Sequence, residues 1–348
     1  MGKRNPRPQE KHRQPGDHPG LGPALHYLLG SPANVPASVI VPRLGFFGEG
    51  GIYKGLFGGL LGTKYDSFNL EEPGNNRNVT DFRRNFDSGP LTMQAGLSES
   101  RIASRRQLLD DLQQTNGPRL VTPGSQQLLE SYDKAYAMLS SNATGRAFDL
   151  GREPQHIRER YGWNEYGQSF LLARRLVEAG VRTTTVLWFY YGKDGCKSNV
   201  WDTHGGTGCV GGVSGFAMMK ANYLCPPFDR AYSALLQDLH DRGLLDETLV
   251  VAVGEFGRTP KVNKAGGRDH WGPCYSALLS GGGIQGGCVY GASDKHAAYV
   301  TENPVTPDDL SATIYQAFGL PPETEVYDHF GHPIHISDGS PVLDLFAS

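Results

Sequence analysis

Two short segments of the chain combine carboxylates, imidazoles and cations in patterns suited to metal-assisted chemistry. The first is Trp201-Asp202-Thr203-His204-Gly205-Gly206, and the second runs over residues 253–271. Carboxylate and imidazole ligands suit zinc, manganese or a similar divalent ion. The planar fork of an arginine matches a phosphate or sulfate group. The candidate side chains are Asp202, His204, Glu255, Arg258, Lys261, Asp269 and His270.

In the first segment, Asp202 and His204 lie two positions apart. In an extended backbone this spacing puts both side chains on the same side, where they could bind one ion. The alternative is a capped turn, in which Asp202 accepts hydrogen bonds from backbone amides and His204 is exposed. The pair alone leaves both interpretations open.

The second segment follows a predicted strand directly, so Glu255 is expected at the strand end as a metal ligand, a general base or a partner for Arg258. Lys261 adds a further donor for an oxyanion. Asp269 and His270 are adjacent and would face opposite ways on a strand. Either a loop aims both inward, or His270 is a ligand while Asp269 orients another group from outside the coordination sphere.

The elements around these segments repeat in a fixed order of helix, apolar strand and polar loop. Helix 168–180 precedes strand 181–190, and helix 228–242 precedes strand 248–253. This alternation predicts a doubly wound α/β sheet with helices on both faces. Ligands bind such sheets outside the carboxyl ends of the strands, where both candidate segments begin.

The rest of the chain is predicted as one domain over residues 21–348, preceded by an irregular segment over 1–20. The remaining predicted helices are 22–30, 105–114, 124–140, 154–161 and 307–318, the last capped by Thr306 or Asp308; the remaining strands are 38–42, 275–279 and 287–290; the long loops are 45–63 and 64–100.

Composition limits the classes of function. The net charge of −3 gives no indication of a nucleic-acid partner. No apolar run reaches the roughly 18 residues of a membrane span, and the N-terminus has no apolar signal-peptide core. The five cysteines lack a C-x-x-C pair. One local disulfide among Cys196, Cys209 and Cys225 is an open alternative, so the redox compartment is undecided. The oligomeric state is also undecided.

A third group of histidines lies near the C-terminus, where His329, His332 and His335 accompany Asp328 and Asp338. These side chains could bind a metal, but a surface loop is the favoured interpretation.

The segment Gly254-Glu255-Phe256-Gly257-Arg258-Thr259-Pro260-Lys261, with Gly267-Arg268-Asp269-His270-Trp271 after it and Trp201-Asp202-Thr203-His204 upstream, resembles domain-of-unknown-function family 1501. The resemblance covers nearly the whole chain, including Asp17-His18-Pro19-Gly20-Leu21-Gly22 and Asp338-Gly339-Ser340-Pro341-Val342. This family looks like a branch of the alkaline phosphatase and sulfatase superfamily. The resemblance therefore implies an alkaline-phosphatase-like, mostly parallel sheet.

The same resemblance implies roles for the candidate residues. Asp202, His204 and His270 would serve one metal. Glu255 falls where relatives carry an Asp-His pair, and Phe256 replaces that histidine, so Asp269 would have to compensate at a second metal. Family members usually open with a strand and an acidic turn before a segment like Met1-Gly2-Lys3-Arg4. The resemblance thus implies a missing N-terminal strand, a nucleophile lost with it, and an exported periplasmic or cell-surface bacterial protein.

Two functions follow as expectations. The first is a metal-dependent hydrolase of phosphate or sulfate esters, acting on a small-molecule or polysaccharide substrate with zinc, manganese or calcium. Arg258 and Lys261 would stabilise the developing oxyanion. The second is an inactive alkaline-phosphatase-like protein that serves as a ligand-binding or cell-surface module. A third interpretation is a structural protein whose Asp and His residues only cap loops.

Overall fold

The computed structural model describes most of the chain, with gaps that include part of the first candidate segment. The described residues are 14–32, 34–42, 46–47, 51–52, 54–69, parts of 100–111, 142–188, 201, 203–205, 215–220 and 224–347. Predicted helix 124–140 and most of loop 64–100 lie outside them, as do residues 189–190 of the strand predicted over 181–190.

The described part of the chain contains both helices and strands, and a helix leads directly into a strand over residues 165–186 and 225–253. The α-helices are α1 (Leu21–Leu29), α2 (Asn142–Phe148), α3 (Gln155–Tyr161), α4 (Glu165–Glu178), α5 (Gly215–Lys220), α6 (Cys225–Asp241) and α7 (Pro307–Ala317). The strands are β1 (Ser38–Val41), β2 (Phe46–Phe47), β3 (Gly51–Ile52), β4 (Phe68–Asn69), β5 (Thr183–Val186), β6 (Val250–Val253), β7 (Gly257–Arg258), β8 (His270–Trp271), β9 (Ala277–Ser280), β10 (Ala292–Ser293), β11 (Val300–Glu302), β12 (Glu325–Tyr327) and β13 (Pro333–His335).

Three of the strands form a parallel sheet in the order β4-β1-β5. β1 and β5 pair in register from Ser38 opposite Thr183 to Val41 opposite Val186. Both strands are rich in β-branched residues, which pack well on a pleated surface. The remaining described strands form two-stranded antiparallel sheets, so the protein is a mixed α/β structure.

Helix α4 leads into the parallel sheet and is the centre of the main core. It begins after Asn164, whose side-chain oxygen accepts hydrogen bonds from the backbone amides of Tyr166 and Gly167 and so caps the helix. Leu171, Leu172 and their neighbours along α4 are buried. This core also contains residues of β1, the end of α3 and the apolar face of α6.

A second, smaller core joins α1 to the C-terminal part of the chain. Ala24 and Leu25 of α1 pack with Tyr315 of α7, Val326 of β12 and Ile336. Helix α7 begins at Pro307 after a capping box in which the Thr306 side chain and the third helical residue, Asp309, bond each other's backbone amides. The prediction of this helix and of Thr306 as a cap is confirmed.

The predicted sheet differs from the observed one at β6. The strand was expected to extend a mostly parallel sheet, but it pairs antiparallel with β9, from Val250 opposite Ser280 to Val253 opposite Ala277. An antiparallel partner close along the chain needs no crossover helix, whereas a parallel partner does. The alternation of helix and strand was read correctly, but this pairing was not deducible from it.

Smaller differences concern loops and boundaries. The described part of the region predicted as loop 45–63 contains the β2–β3 hairpin and two short 3-10 turns, and a third turn begins at Thr63. Helix α6 begins at Cys225 rather than 228, because two prolines fit within its first turn. The strand predicted over 287–290 is wrong. Val289 is 93% exposed there, so no packed surface supports a strand.

No helix in the described part of the chain is both long enough and apolar enough to cross a membrane.

Candidate functional site

The second candidate segment is built on a small hairpin. β7 and β8 pair antiparallel, with Arg258 opposite His270 and Gly257 opposite Trp271. A side chain at Gly257 would lie 1.8 Å from the carbonyl oxygen of Cys274, so only glycine permits this packing. The pairing therefore brings Arg258 and His270, which are separated in sequence, to neighbouring positions.

The loop between β7 and β8 is held by hydrogen bonds of its own side chains. The Thr259 backbone amide donates to the Asp269 carbonyl at 2.9 Å, and the Thr259 hydroxyl accepts from the Asp269 amide at 3.1 Å. The same hydroxyl donates to the Lys261 carbonyl at 2.9 Å. Asp269 and Lys261 are both exposed, so these bonds fix the backbone while the two charged groups face solvent.

The first candidate segment lies directly against this loop. Gly205 and Gly266 form an antiparallel bridge, and the Arg268 amide donates to the Thr203 carbonyl at 3.2 Å. A side chain at Gly267 would lie 2.1 Å from the carbonyl carbon of His204, so the close approach requires glycine. The structure thus brings together two segments about sixty positions apart in sequence.

Arg258 links the two segments through backbone carbonyls. Its Nη2 donates to the Trp201 carbonyl at 2.8 Å, and its Nη1 donates to the Arg268 carbonyl at 3.3 Å. Its guanidinium carbon also lies 5.8 Å from the centre of the Phe256 ring. The arginine that was predicted to bind an oxyanion is therefore hydrogen-bonded to the protein's own backbone in this structure.

His204 and His270 form the imidazole pair of the site. Their ring centres are 6.1 Å apart, with 33° between the ring planes. A zinc–nitrogen bond of about 2.1 Å puts an imidazole centre roughly 3 Å from the ion. At a tetrahedral ion two such ring centres lie about 5 Å apart, so these two imidazoles would have to move closer together to share one ion.

The Phe256 ring also lies close to His270. The two rings are 4.3 Å apart between centres and tilted by 35°. The position where the family resemblance leads one to expect a histidine is thus occupied by an apolar ring in contact with a candidate ligand.

The other predicted ligands are placed as follows. Glu255 is exposed in the turn after β6, and Asp269 is exposed with one carboxylate oxygen accepting from the Asn263 amide at 2.9 Å. Asp202 lies outside the described residues. Within the described ranges, no three His, Cys, Asp or Glu side chains come close enough together to hold a metal ion. A complete ligand set therefore needs a residue beyond the two histidines.

Sequence reasoning missed Asn263, whose side chain contacts both segments. Asparagine is so common in turns that its presence in a polar loop gave no signal of this role.

The C-terminal histidines lie at the surface, as the favoured interpretation held. Asp328 accepts hydrogen bonds from the amides of Phe330 and His332 and pairs with the His332 ring at 3.0 Å, within the turn between β12 and β13. Of the cysteines that the structure describes, Cys225, Cys274 and Cys288 are free thiols. Cys196 and Cys209 lie outside the described residues.

Comparison with known families agrees with the motifs. A family model described as "Protein of unknown function (DUF1501)" matches residues 9–346. The chain belongs to this family. No curated protein and no solved structure matches the chain. The match assigns no role to any residue, so the chemistry of the site has to be argued from the site itself.

Proposed function

We propose that this protein is a metal-dependent hydrolase of phosphate or sulfate esters. The observation that carries the proposal is the meeting of the two polar segments, which places the rings of His204 and His270 next to each other, 6.1 Å apart between their centres. The two segments are far apart in sequence, so the fold is what brings them into contact. Both are rich in side chains that can bind a metal or an oxyanion.

The proposed metal ligands are His204 and His270, with Asp202, Glu255 and Asp269 as the candidate carboxylates. The ion would be zinc, manganese or calcium, and when bound it would polarise an ester oxygen and lower the pKa of a bound water. The exposed carboxylates beside β7 and β8 can complete the ligand set only if they turn toward the histidines. The superfamily relationship to alkaline phosphatases and sulfatases is part of this proposal.

Arg258 and Lys261 are the proposed oxyanion-binding residues. A guanidinium is a planar group with five N–H donors, and Arg258 directs two of its nitrogens at the Trp201 and Arg268 carbonyls. These bonds also hold the guanidinium in place before substrate binds, and a preorganised donor stabilises transition-state charge more effectively than a mobile one. The substrate would be a small-molecule or polysaccharide ester.

Hydrolysis assays test the proposal directly. The protein is stripped with a chelator, reloaded separately with zinc, manganese or calcium, and assayed with aryl phosphate and aryl sulfate esters. We expect turnover only in a reloaded form, and a loss of at least tenfold in kcat/KM for Lys261→Ala. Lys264→Ala, an exposed lysine in the same loop, is the matched control and should retain activity. Turnover that is unaffected by the chelator contradicts metal dependence.

A non-catalytic role is the second candidate function. The contact of Phe256 with His270 favours it, because an apolar ring stands beside this imidazole at the position where the family resemblance implies a histidine. Such a protein would be a ligand-binding or cell-surface module, exported as the family resemblance implies. Metal binding without turnover of either ester class, in the wild type and in Phe256→His, would favour this role over the hydrolase.

A further inference from the structure

Helix α5 exposes two large apolar side chains beside the candidate site. Phe216 is 64% exposed and Met219 is 46% exposed. Their spacing of three positions puts both on one face of the helix. Lys220 lies on the same face, four positions after Phe216, and its Nζ is 4.4 Å from the centre of the Phe216 ring. This face therefore combines exposed apolar area with a positive charge that contacts an aromatic ring.

The start of α5 is fixed against the two candidate segments. The Gly215 amide donates to the Gly266 carbonyl at 3.0 Å. A side chain at Gly215 would lie 2.1 Å from the carbonyl oxygen of Thr203, so the close approach requires glycine. The exposed face of α5 thus begins one residue from the place where the two segments meet.

The loop between β7 and β8 has the same combination of apolar and cationic side chains. Val262 is 54% exposed, and Lys261 and Arg268 are exposed as well. Neither residues 215–220 nor residues 258–268 include an Asp or Glu. The exposed side chains of these two stretches, called the α5 surface below, are therefore apolar and positively charged in a protein whose net charge is −3.

Phe330 is a second exposed phenylalanine, and its surroundings have the opposite charge. It is 73% exposed in the turn between β12 and β13, where its amide donates to the Asp328 carboxylate at 2.8 Å. Residues 296–348 contain no lysine or arginine. Exposed apolar area is thus common to both places, and the cations beside Phe216 are what distinguish the α5 surface.

We propose that the α5 surface binds an anionic lipid bilayer, with Phe216 and Met219 inserted among the headgroups and Lys220, Lys261 and Arg268 against the lipid phosphates. Exposed apolar patches mark contacts with proteins or membranes. An anionic bilayer offers apolar chains below a negatively charged surface, and this pairing matches both features of the α5 surface. The inference goes beyond the proposed function, because neither a metal nor ester hydrolysis enters it.

Co-sedimentation with vesicles tests the proposal. The full chain is mixed with vesicles of phosphatidylcholine alone, or with vesicles of phosphatidylcholine and phosphatidylglycerol in equal parts. We expect the wild type to sediment with the anionic vesicles and not with the neutral ones, and its binding to weaken as salt screens the charges. Phe216→Ser/Met219→Ser should bind roughly tenfold more weakly, because two apolar side chains no longer insert. Lys220→Gln should bind roughly fivefold more weakly.

Phe330→Ser is the matched control, because it removes an exposed phenylalanine outside the α5 surface. It should bind the anionic vesicles as the wild type does. All the variants should keep the wild-type midpoint of thermal unfolding, since every replaced side chain is exposed. Unchanged midpoints separate a loss of vesicle binding from a loss of folding.

The outcomes decide the proposal independently of the hydrolase. A wild type that does not bind anionic vesicles at low salt overturns it, as does undiminished binding by Phe216→Ser/Met219→Ser or an equal loss in Phe330→Ser. A dimer that the double variant cannot form, in a protein that binds no vesicles, would instead assign the α5 surface to a second copy of the chain. A wild type without esterase activity contradicts the proposed function alone, because vesicle binding is measured without an ester substrate.

Discussion

Two regions of the molecule use the same kinds of charged residue in opposite ways. Between α3, α4 and α6, the fully buried side chain of Arg174 forms ion pairs with Glu153 at 2.8 Å, Glu178 at 2.6 Å and Asp238 at 2.9 Å. In the candidate site, Arg258 donates to backbone carbonyls, and the neighbouring Glu255 is exposed. The first arrangement pairs charge with charge inside the protein, whereas the second fixes backbone segments at its surface.

The buried cluster is also closely hydrogen-bonded. The Tyr161 hydroxyl donates to one oxygen of Asp238 at 2.9 Å, and Arg242 Nε donates to the other at 2.9 Å. Burial alone would raise the pKa of Asp238, but the hydrogen bond from Arg242 and the charge of Arg174 outweigh it and lower that pKa. The comparison teaches that enclosed charges in this protein pair with one another, whereas the guanidinium of the candidate site holds two backbone segments together.

Removing the central cation is expected to have the largest effect on stability. Arg174→Met leaves Glu153 and Asp238 buried without their main partner, and breaking a buried ion pair in this way typically costs about 3–5 kcal/mol. Urea unfolding of Arg174→Met against Arg152→Met, an exposed arginine in the preceding 3-10 turn, measures it. A difference below about 1 kcal/mol between the two variants contradicts the structural importance of the cluster.

Low pH should destabilise the protein through the same buried ion pairs around Arg174. Burial would raise the pKa of Glu153, but the hydrogen bonds and charges of Arg174 and then Arg175 outweigh it, so the pKa is lowered. The pKa of Asp238 is lowered in the same way, by Arg242 and Arg174. Carboxylates with depressed folded-state pKa values stabilise the protein above the unfolded pKa of roughly 4. That stability is lost as the pH falls from there through the folded-state values.

The measurement is the free energy of unfolding between pH 6 and pH 2, for the wild type and Glu153→Gln. We expect the free energy of unfolding to fall below roughly pH 4 in both proteins, and to fall less steeply in Glu153→Gln. Identical pH profiles for the two proteins would show that Glu153 does not contribute.

In the candidate site the same kind of change should matter less for stability. Arg258→Lys loses one of two bonds to backbone carbonyls, and a net hydrogen bond is worth about 1 kcal/mol. We therefore expect a loss of about 0.5–1.5 kcal/mol in chemical denaturation. A loss as large as that of Arg174→Met would mean that the two regions do not differ as described.

The smallest effect is expected at the C-terminal hairpin. His332 is paired with Asp328, but its side chain is 72% exposed, and exposed pairs contribute little or nothing measurable. His332→Ala should unfold at the wild-type midpoint in thermal denaturation. A clear drop in that midpoint would show that this exposed pair stabilises the protein, as the buried ion pairs are expected to do.

The sequence predicted five of the described helices (α1, α3, α4, α6 and α7) and the positions of the candidate segments, because both depend on local patterns. It did not predict the short helices α2 and α5. Asn164, Thr306 and the apolar spacing of α4 and α6 are local signals of helix. The antiparallel pairing of β6 with β9 was not predictable, since an apolar run of this length does not specify its partner. The buried role of Arg174 was also hidden, because its partners Glu153 and Asp238 lie far away along the chain.

For the site, the residue types led to a prediction of metal-assisted chemistry, which stays a prediction, but they did not give the contacts. The motif predicted that Arg258 and His270 act together, and β7 and β8 place them opposite each other. The Gly267 approach to His204 and the donor end of Asn263 depend on tertiary structure, which no local pattern reveals.

The measurement that tests the metal centre most directly is the metal content of the purified wild type beside His204→Ala/His270→Ala, determined by mass spectrometry. The hydrolase proposal predicts one or two tightly held ions in the wild type and their loss in the double variant. A wild type without metal, or a double variant that retains the full complement, would contradict the assignment of these histidines as ligands.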